Sequence, residues 1–134
     1  MLLDTDVLID VALDRRPHSE ASTELLERIE RSSRRVFVAW HSLSNFYYLV
    51  TSERGARDAR DFIAELIRFV AVAPADTATL RYAISVPMTD FEDAMQVAAA
   101  RACGAEHIVT RNVRDFRLSP IPAVTPREAL ARLF

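Results

Sequence analysis

Short apolar runs at about 1–4, 36–39, 70–73, 107–110 and 122–124 alternate with longer stretches whose apolar residues recur at helical spacing. That alternation predicts an α/β fold in which helices connect parallel strands and cover the sheet. Between the runs, Ala21, Leu25, Leu26 and Ile29 share one helical face, and Ala59, Phe62, Ile63, Leu66, Ile67 and Val70 share another, so both faces are expected to pack on the sheet. Segment 42–51 is apolar nearly all round, through Leu43, Phe46, Tyr47, Tyr48, Leu49 and Val50, which predicts a helix buried on more than one side. Its aromatics, with Trp40, read as core or dimer packing rather than a base-stacking platform. Thr89-Asp90-Phe91-Glu92 and Thr125-Pro126-Arg127-Glu128 both have the capping-box pattern, Asn112 can cap a short turn, and Gly104 is placed to close the helix that starts at Thr89. The polar run Arg28 to Arg35 reads as an exposed helix end and loop.

Composition narrows the chemistry. The 134 residues, half of them hydrophobic, suit one domain spanning 1–134 with one buried core. A net charge of −2 argues against holding nucleic acid by general electrostatics, so any such contact has to be local. All 17 basic residues are arginine, and Gly55 and Gly104 are the only glycines. Phosphate-binding loops built on glycines and a lysine are thereby excluded. Phosphoacceptor receiver domains also gather aspartates at strand ends, but they rely on a lysine that this chain lacks. The lone Cys103 sits in an alanine-rich run and reads as a buried structural thiol in a reducing interior. No leader-like segment opens the chain, and a cytoplasmic location is expected.

In an open parallel sheet, ligands bind beyond the carboxyl ends of the strands. Asp4 ends the first run, Thr110, Arg111 and Asn112 leave the fourth, and Asp93 and Asn45 fall in the expected first turns of helices that begin at the same edge. Connectivity alone therefore points these segments at one rim. Several carboxylates in a small space repel unless a cation sits among them, and oxygen ligands suit a hard ion such as Mg²⁺ or Mn²⁺. Such an ion can lower the pKa of a water and offset charge on a phosphoryl group.

Three segments, Leu2-Leu3-Asp4-Thr5-Asp6-Val7-Leu8-Ile9-Asp10, Asp90-Phe91-Glu92-Asp93-Ala94 and Ile108-Val109-Thr110-Arg111-Asn112-Val113-Arg114-Asp115-Phe116, resemble the PIN domain family in content, order and separation. The likeness extends to the closing Ile121 to Glu128. It implies a three-layer α/β/α sandwich around a mostly parallel five-stranded sheet, dependence on Mg²⁺ or Mn²⁺, and endoribonuclease activity. For a small bacterial member it further implies the toxin of a toxin–antitoxin pair, restrained by an antitoxin tail that places an arginine in the acidic pocket. Carried over by position, Asp4, Asp93, Asn112 and Asp115 become the catalytic set. Asp4, Asp93, Asp90 and Asp115 become the metal ligands, with Asp6, Asn45 and Thr110 behind them. The family's usual glutamate on the helix after the second strand stands here as Asn45, which offers a neutral oxygen but neither charge nor basicity.

Plainer readings remain beside these. Asp4 or Asp6 can cap a helix, and Asp6 is the stronger candidate for that duty. Glu92 is explained by its capping box, Asp90 by the helix dipole, and Asp10 and Asp14 by a solvated helix face. Asp115 can pair with Arg111 or Arg114. Arg111, Arg114 and Arg117 form the expected local RNA-binding patch. Arg54, Arg57 and Arg60 fall three apart and are expected to share one solvated helix face, and His41 reads as a surface or hydrogen-bonded histidine. A homodimer through exposed helix faces is a further expectation, as is a non-catalytic module that binds RNA or a protein partner.

Overall fold

A computed structural model describes residues 1–134. Five two-residue strands, β1 (Leu2–Leu3), β2 (Phe37–Val38), β3 (Ala71–Val72), β4 (Ile108–Val109) and β5 (Ala123–Val124), form one sheet in the order β3-β2-β1-β4-β5. Every pairing is parallel, with Leu2 opposite Phe37 and Ile108, and Leu3 opposite Val38 and Val109. All five lie within the apolar runs of the sequence.

Successive residues of a strand point to opposite faces, and two cores follow from that alternation. Leu3, Val38, Val109 and Val124 face one core with α1 (Thr5–Ala12), α2 (His18–Glu30), α3 (Trp40–Arg54), α4 (Ala56–Leu66) and α7 (Pro126–Leu133). Leu2, Phe37 and Ile108 face the other with α6 (Phe91–Ala102), Ala83 of α5 (Thr77–Ser85) lying beside it. The fold is an α/β/α sandwich. None of its helices is long and apolar enough to cross a membrane.

Several sequence expectations are corrected. Helix α3 buries only Ser42, Phe46 and Val50, while Trp40 is 70% and Tyr48 74% exposed. Its apolar residues face two ways: α1 and α4 pack against the side of Phe46, where Phe62 stacks on its ring, while Trp40, Tyr48 and Leu49 stay exposed. Gly55, at φ +87°, ends α3 before Arg57 and Arg60, so Arg54, Arg57 and Arg60 do not share a helix. Asp90, not Thr89, caps α6, accepting from the Asp93 N–H at 3.0 Å. Asn112 makes no side-chain cap, and Cys103 is half-buried rather than buried. The Thr125–Glu128 capping box is present on α7, and Gly104 follows the end of α6 in the left-handed region.

Candidate functional site

Chain order crosses from the β3-β2-β1 side of the sheet to the β4-β5 side, so the crevice expected of such sheets opens beyond the ends of β1 and β4. A cavity of about 590 Å³ lies there. Asp4, Thr5 and Asp6 enter it from the β1–α1 junction, Asn45 from α3, Asp90, Glu92 and Asp93 from the start of α6, and Arg111, Asn112 and Asp115 from the segment after β4. Asn45 stands in the second turn of α3, not the first, because α3 begins at Trp40. Thr110 is fully buried beneath the cavity, out of reach of a phosphate.

Asp4 is the most constrained acid. It caps α1, with Oδ1 accepting from the Thr5 N–H at 2.7 Å and from Gln96 Nε2 at 2.9 Å. Its Oδ2 accepts from Thr110 Oγ1 at 2.8 Å. Capping therefore falls to Asp4 rather than Asp6, and the same carboxylate serves the helix and the cavity. Asp6 instead ties down the segment after β4, accepting from the Arg111 N–H at 3.0 Å, Asn112 Nδ2 at 3.2 Å and Thr110 Oγ1 at 3.1 Å. The Thr110 hydroxyl has one proton for two carboxylates. Both short contacts are satisfied together only when Asp4 or Asp6 carries a proton.

The electrostatics agree. Burial, then the charge of Asp6, pushes Asp4 up to about 7, against the pull of its hydrogen bonds from Thr110 and Thr5. Burial raises Asp6 as well, despite its bonds to Thr110 and Arg111. Asp93 is pushed up to about 7 by burial and then by Asp90, Asp4, Asp115 and Glu92. These carboxyls stand near enough to disfavour one another's charge.

Gln96 was not among the expected site residues. Fully buried on α6, it donates to Asp4, to Ser42 Oγ at 2.6 Å and to Thr5 Oγ1 at 3.3 Å, joining α1, α3 and α6 beneath the cavity. A polar residue inside the apolar run Ala94-Met95-Gln96-Val97-Ala98, three positions after Asp93, was the available signal. Asp10 is also buried, not on a solvated face, and pairs with Arg111 at 2.8 Å. Burial raises its pKa while Arg111 draws it back. Arg111 is thereby held inward as the cavity wall. Arg114 and Arg117 are exposed around an adjoining cavity of about 220 Å³ that they share with Asp90, Asp93 and Asp115. Asp115 makes no ion pair with Arg111 or Arg114. The ring of His41 is half-buried, its Nε2 enclosed without a hydrogen-bond partner, and burial lowers its pKa against the opposing charge of Glu92.

The donors are all oxygens, which suits a hard divalent ion better than a soft one. No three acidic side chains stand close enough to enclose an ion by themselves. Magnesium requires less, being commonly held by one or two carboxylates with waters and phosphate oxygens. The mutual repulsion around Asp4 and Asp93 is what a bound cation relieves.

The model of the PIN domain family matches residues 1–114 of the chain. In structure the chain is similar to VapBC2 of Rickettsia felis, solved with a DNA fragment from their promoter, at a TM-score of 0.72 and 14% identity, covering 92% of this chain and 96% of that one. It is similar to DNA-bound VapBC of Salmonella typhimurium, at a TM-score of 0.70 and 18% identity over 93% and 96% of the two chains. It is also similar to VapC20 of Mycobacterium tuberculosis, a sarcin-ricin loop cleaving toxin, at a TM-score of 0.64 and 18% identity over 80% and 85%. At these identities the likeness is one of fold. Among curated proteins, none matches the chain in sequence.

Proposed function

The chain belongs to the PIN domain family, and on that premise we propose that it is an endoribonuclease dependent on Mg²⁺ or Mn²⁺, acting as the toxin of a toxin–antitoxin pair in the cytoplasm. The observation that carries this reading is the meeting of Asp4, Asp90, Asp93 and Asp115, from three separate segments, around one cavity at the carboxyl edge of the sheet. The raised pKa values of Asp4 and Asp93 support it, since burial and then the neighbouring carboxylates disfavour their charge at this cavity.

The roles divide by position. Asp4 and Asp93, with Asp90 and Asp115 beside them, would hold the ion. Bound there, the ion supplies a water of lowered pKa and offsets charge on the phosphoryl group. Gln96, Thr5 and Thr110 fix the Asp4 carboxylate, so little ordering is left to do when substrate arrives. Asp6 fixes Asn112 through a hydrogen bond and so sets the mouth of the cavity. Arg114 and Arg117 offer exposed charge to the RNA backbone, and the ring of Tyr48, exposed at the cavity, offers a surface for a base to stack on. The acidic cavity is equally suited to an arginine from an antitoxin tail. Exposed Trp40 and Ile84 are consistent with a homodimer through helix faces.

Asn45 favours a second reading, a non-catalytic module that binds RNA or a protein partner, because position 45 is neutral and its amide acts as a donor. Incubation of purified protein with total RNA, with Mg²⁺, with Mn²⁺ and with chelator, separates the two. The nuclease reading expects metal-dependent fragments from the wild type that are lost in Asp4→Ala and Asp93→Ala. Equal cleavage by all three proteins, or none by any, contradicts it.

A further inference from the structure

Glu92 does not perform the capping duty its sequence pattern suggests, although as an acid in the first turn of α6 it also suits the helix dipole. The sequence pattern assigns it to a capping box, yet Asp90 caps α6, and Glu92 forms no ion pair with any arginine. Its side chain has one hydrogen-bond partner, Asn45, whose Nδ2 donates to Glu92 Oε1 at 2.7 Å across 47 residues of sequence, and its charge also faces the half-buried ring of His41. Both residues line the cavity with Asp4 and Asp93. Ser42, one turn before Asn45 on α3, joins the same site from below through Gln96. One stripe of α3 thus positions two side chains of α6, Gln96 under Asp4 and Glu92 at the opening.

We propose that Glu92, held by Asn45, is a working acid of the cavity, supplying from α6 the carboxylate that α3 lacks and strengthening the hold on a divalent ion. The proposal rests on the metal-dependent reading of this site. An amide donor spends one carboxylate oxygen and leaves the other free, while limiting the rotamers of a long, exposed side chain. Asn45 is then a positioning residue, and its neutrality becomes part of the arrangement instead of a missing charge.

The test is Mn²⁺ affinity, measured on the whole chain by electron paramagnetic resonance of the free ion, with no RNA present. Glu92→Gln keeps the shape but removes the charge, and is expected to weaken Mn²⁺ binding about tenfold or more. The double variant Asn45→Asp/Glu92→Gln reverses donor and acceptor, keeps the hydrogen bond and moves the charge to α3. It is expected to recover most of the affinity, which a merely structural role for Glu92 would not produce. Thermal denaturation of each variant in chelator checks that the fold is retained. Unchanged Mn²⁺ affinity in Glu92→Gln overturns the proposal while leaving the nuclease reading intact. Wild type that binds no Mn²⁺ at millimolar concentration overturns both. Binding that depends on Glu92 without RNA cleavage upholds the proposal and removes the nuclease reading.

Discussion

Replacing Asp4 with asparagine should stabilise the metal-free protein at pH 8 and do nothing for it at pH 4. The Asp4 carboxyl, ordinarily near 3.8, is raised to about 7 in the fold, chiefly by burial and then by Asp6. Unfolded, the group ionises from about pH 4 upward, whereas the folded protein keeps its proton until about pH 7. Wild-type stability therefore falls across that window, and the full penalty stands above it. At about 1.4 kcal/mol per pKa unit the ceiling is about 4 kcal/mol, and because Asp6 shares the repulsion the single substitution should recover about 2–4 kcal/mol. Asparagine keeps an oxygen for the Thr5 N–H and Gln96, and its amide can donate to Thr110 Oγ1, so the gain is not offset by an orphaned partner. With an unfolding entropy of about 2.1 cal/mol/K per residue, the gain appears as a Tm higher by roughly 7–14 °C. Circular dichroism melts in chelator at pH 4 and pH 8 measure it. The reasoning fails if Asp4→Asn lowers Tm at pH 8, or if the two pH values give the same difference from wild type.

The buried hub and the arginines give three further tests. Gln96→Leu removes donors to Asp4 and Ser42 while keeping bulk, so urea unfolding should show a loss of about 1–3 kcal/mol and RNA cleavage should drop by about tenfold or more; cleavage at the wild-type rate would show that Asp4 needs no such support. Arg111→Ala strands Asp10 in the interior, and a loss of about 3 kcal/mol is expected at pH 7. That loss should shrink on acidification, because Asp10 without its partner takes up a proton sooner; a loss independent of pH would point to packing rather than charge. Arg114→Ala/Arg117→Ala should leave Tm unchanged, weaken RNA binding, and reduce its dependence on salt by a slope of about 1–2. An unaltered salt slope would place the RNA elsewhere.

The sheet was legible because its strands are continuous apolar runs, and Asp4, Asp93 and the 110–115 segment could be aimed at one edge by connectivity alone. What remained hidden depends on partners remote in sequence. Asp10 reads as a surface acid until Arg111 arrives from the other end of the chain to pair with it. Glu92 satisfies a capping pattern that Asp90 takes over, and only the approach of α3 shows Asn45 as its partner. The apolar surround of α3 predicted burial, but periodicity counts apolar positions without knowing how many neighbours there are to cover them. Helix α5 went unread because Ala75 to Ser85 carries a weak apolar stripe of which only Ala83 is buried, even though Asp76 and Thr79 form a capping box at its start. The break at Gly55 was marked in the sequence, since a glycine between two helical stretches is where a chain can take positive φ cheaply.

The gathering of acids around a single divalent ion is tested most directly by anomalous X-ray scattering from crystals soaked in Mn²⁺. The expected result is a peak between the Asp4 and Asp93 carboxylates, absent from Asp4→Asn crystals soaked alike. No peak at that position under millimolar Mn²⁺, or the same peak in both proteins, would contradict it.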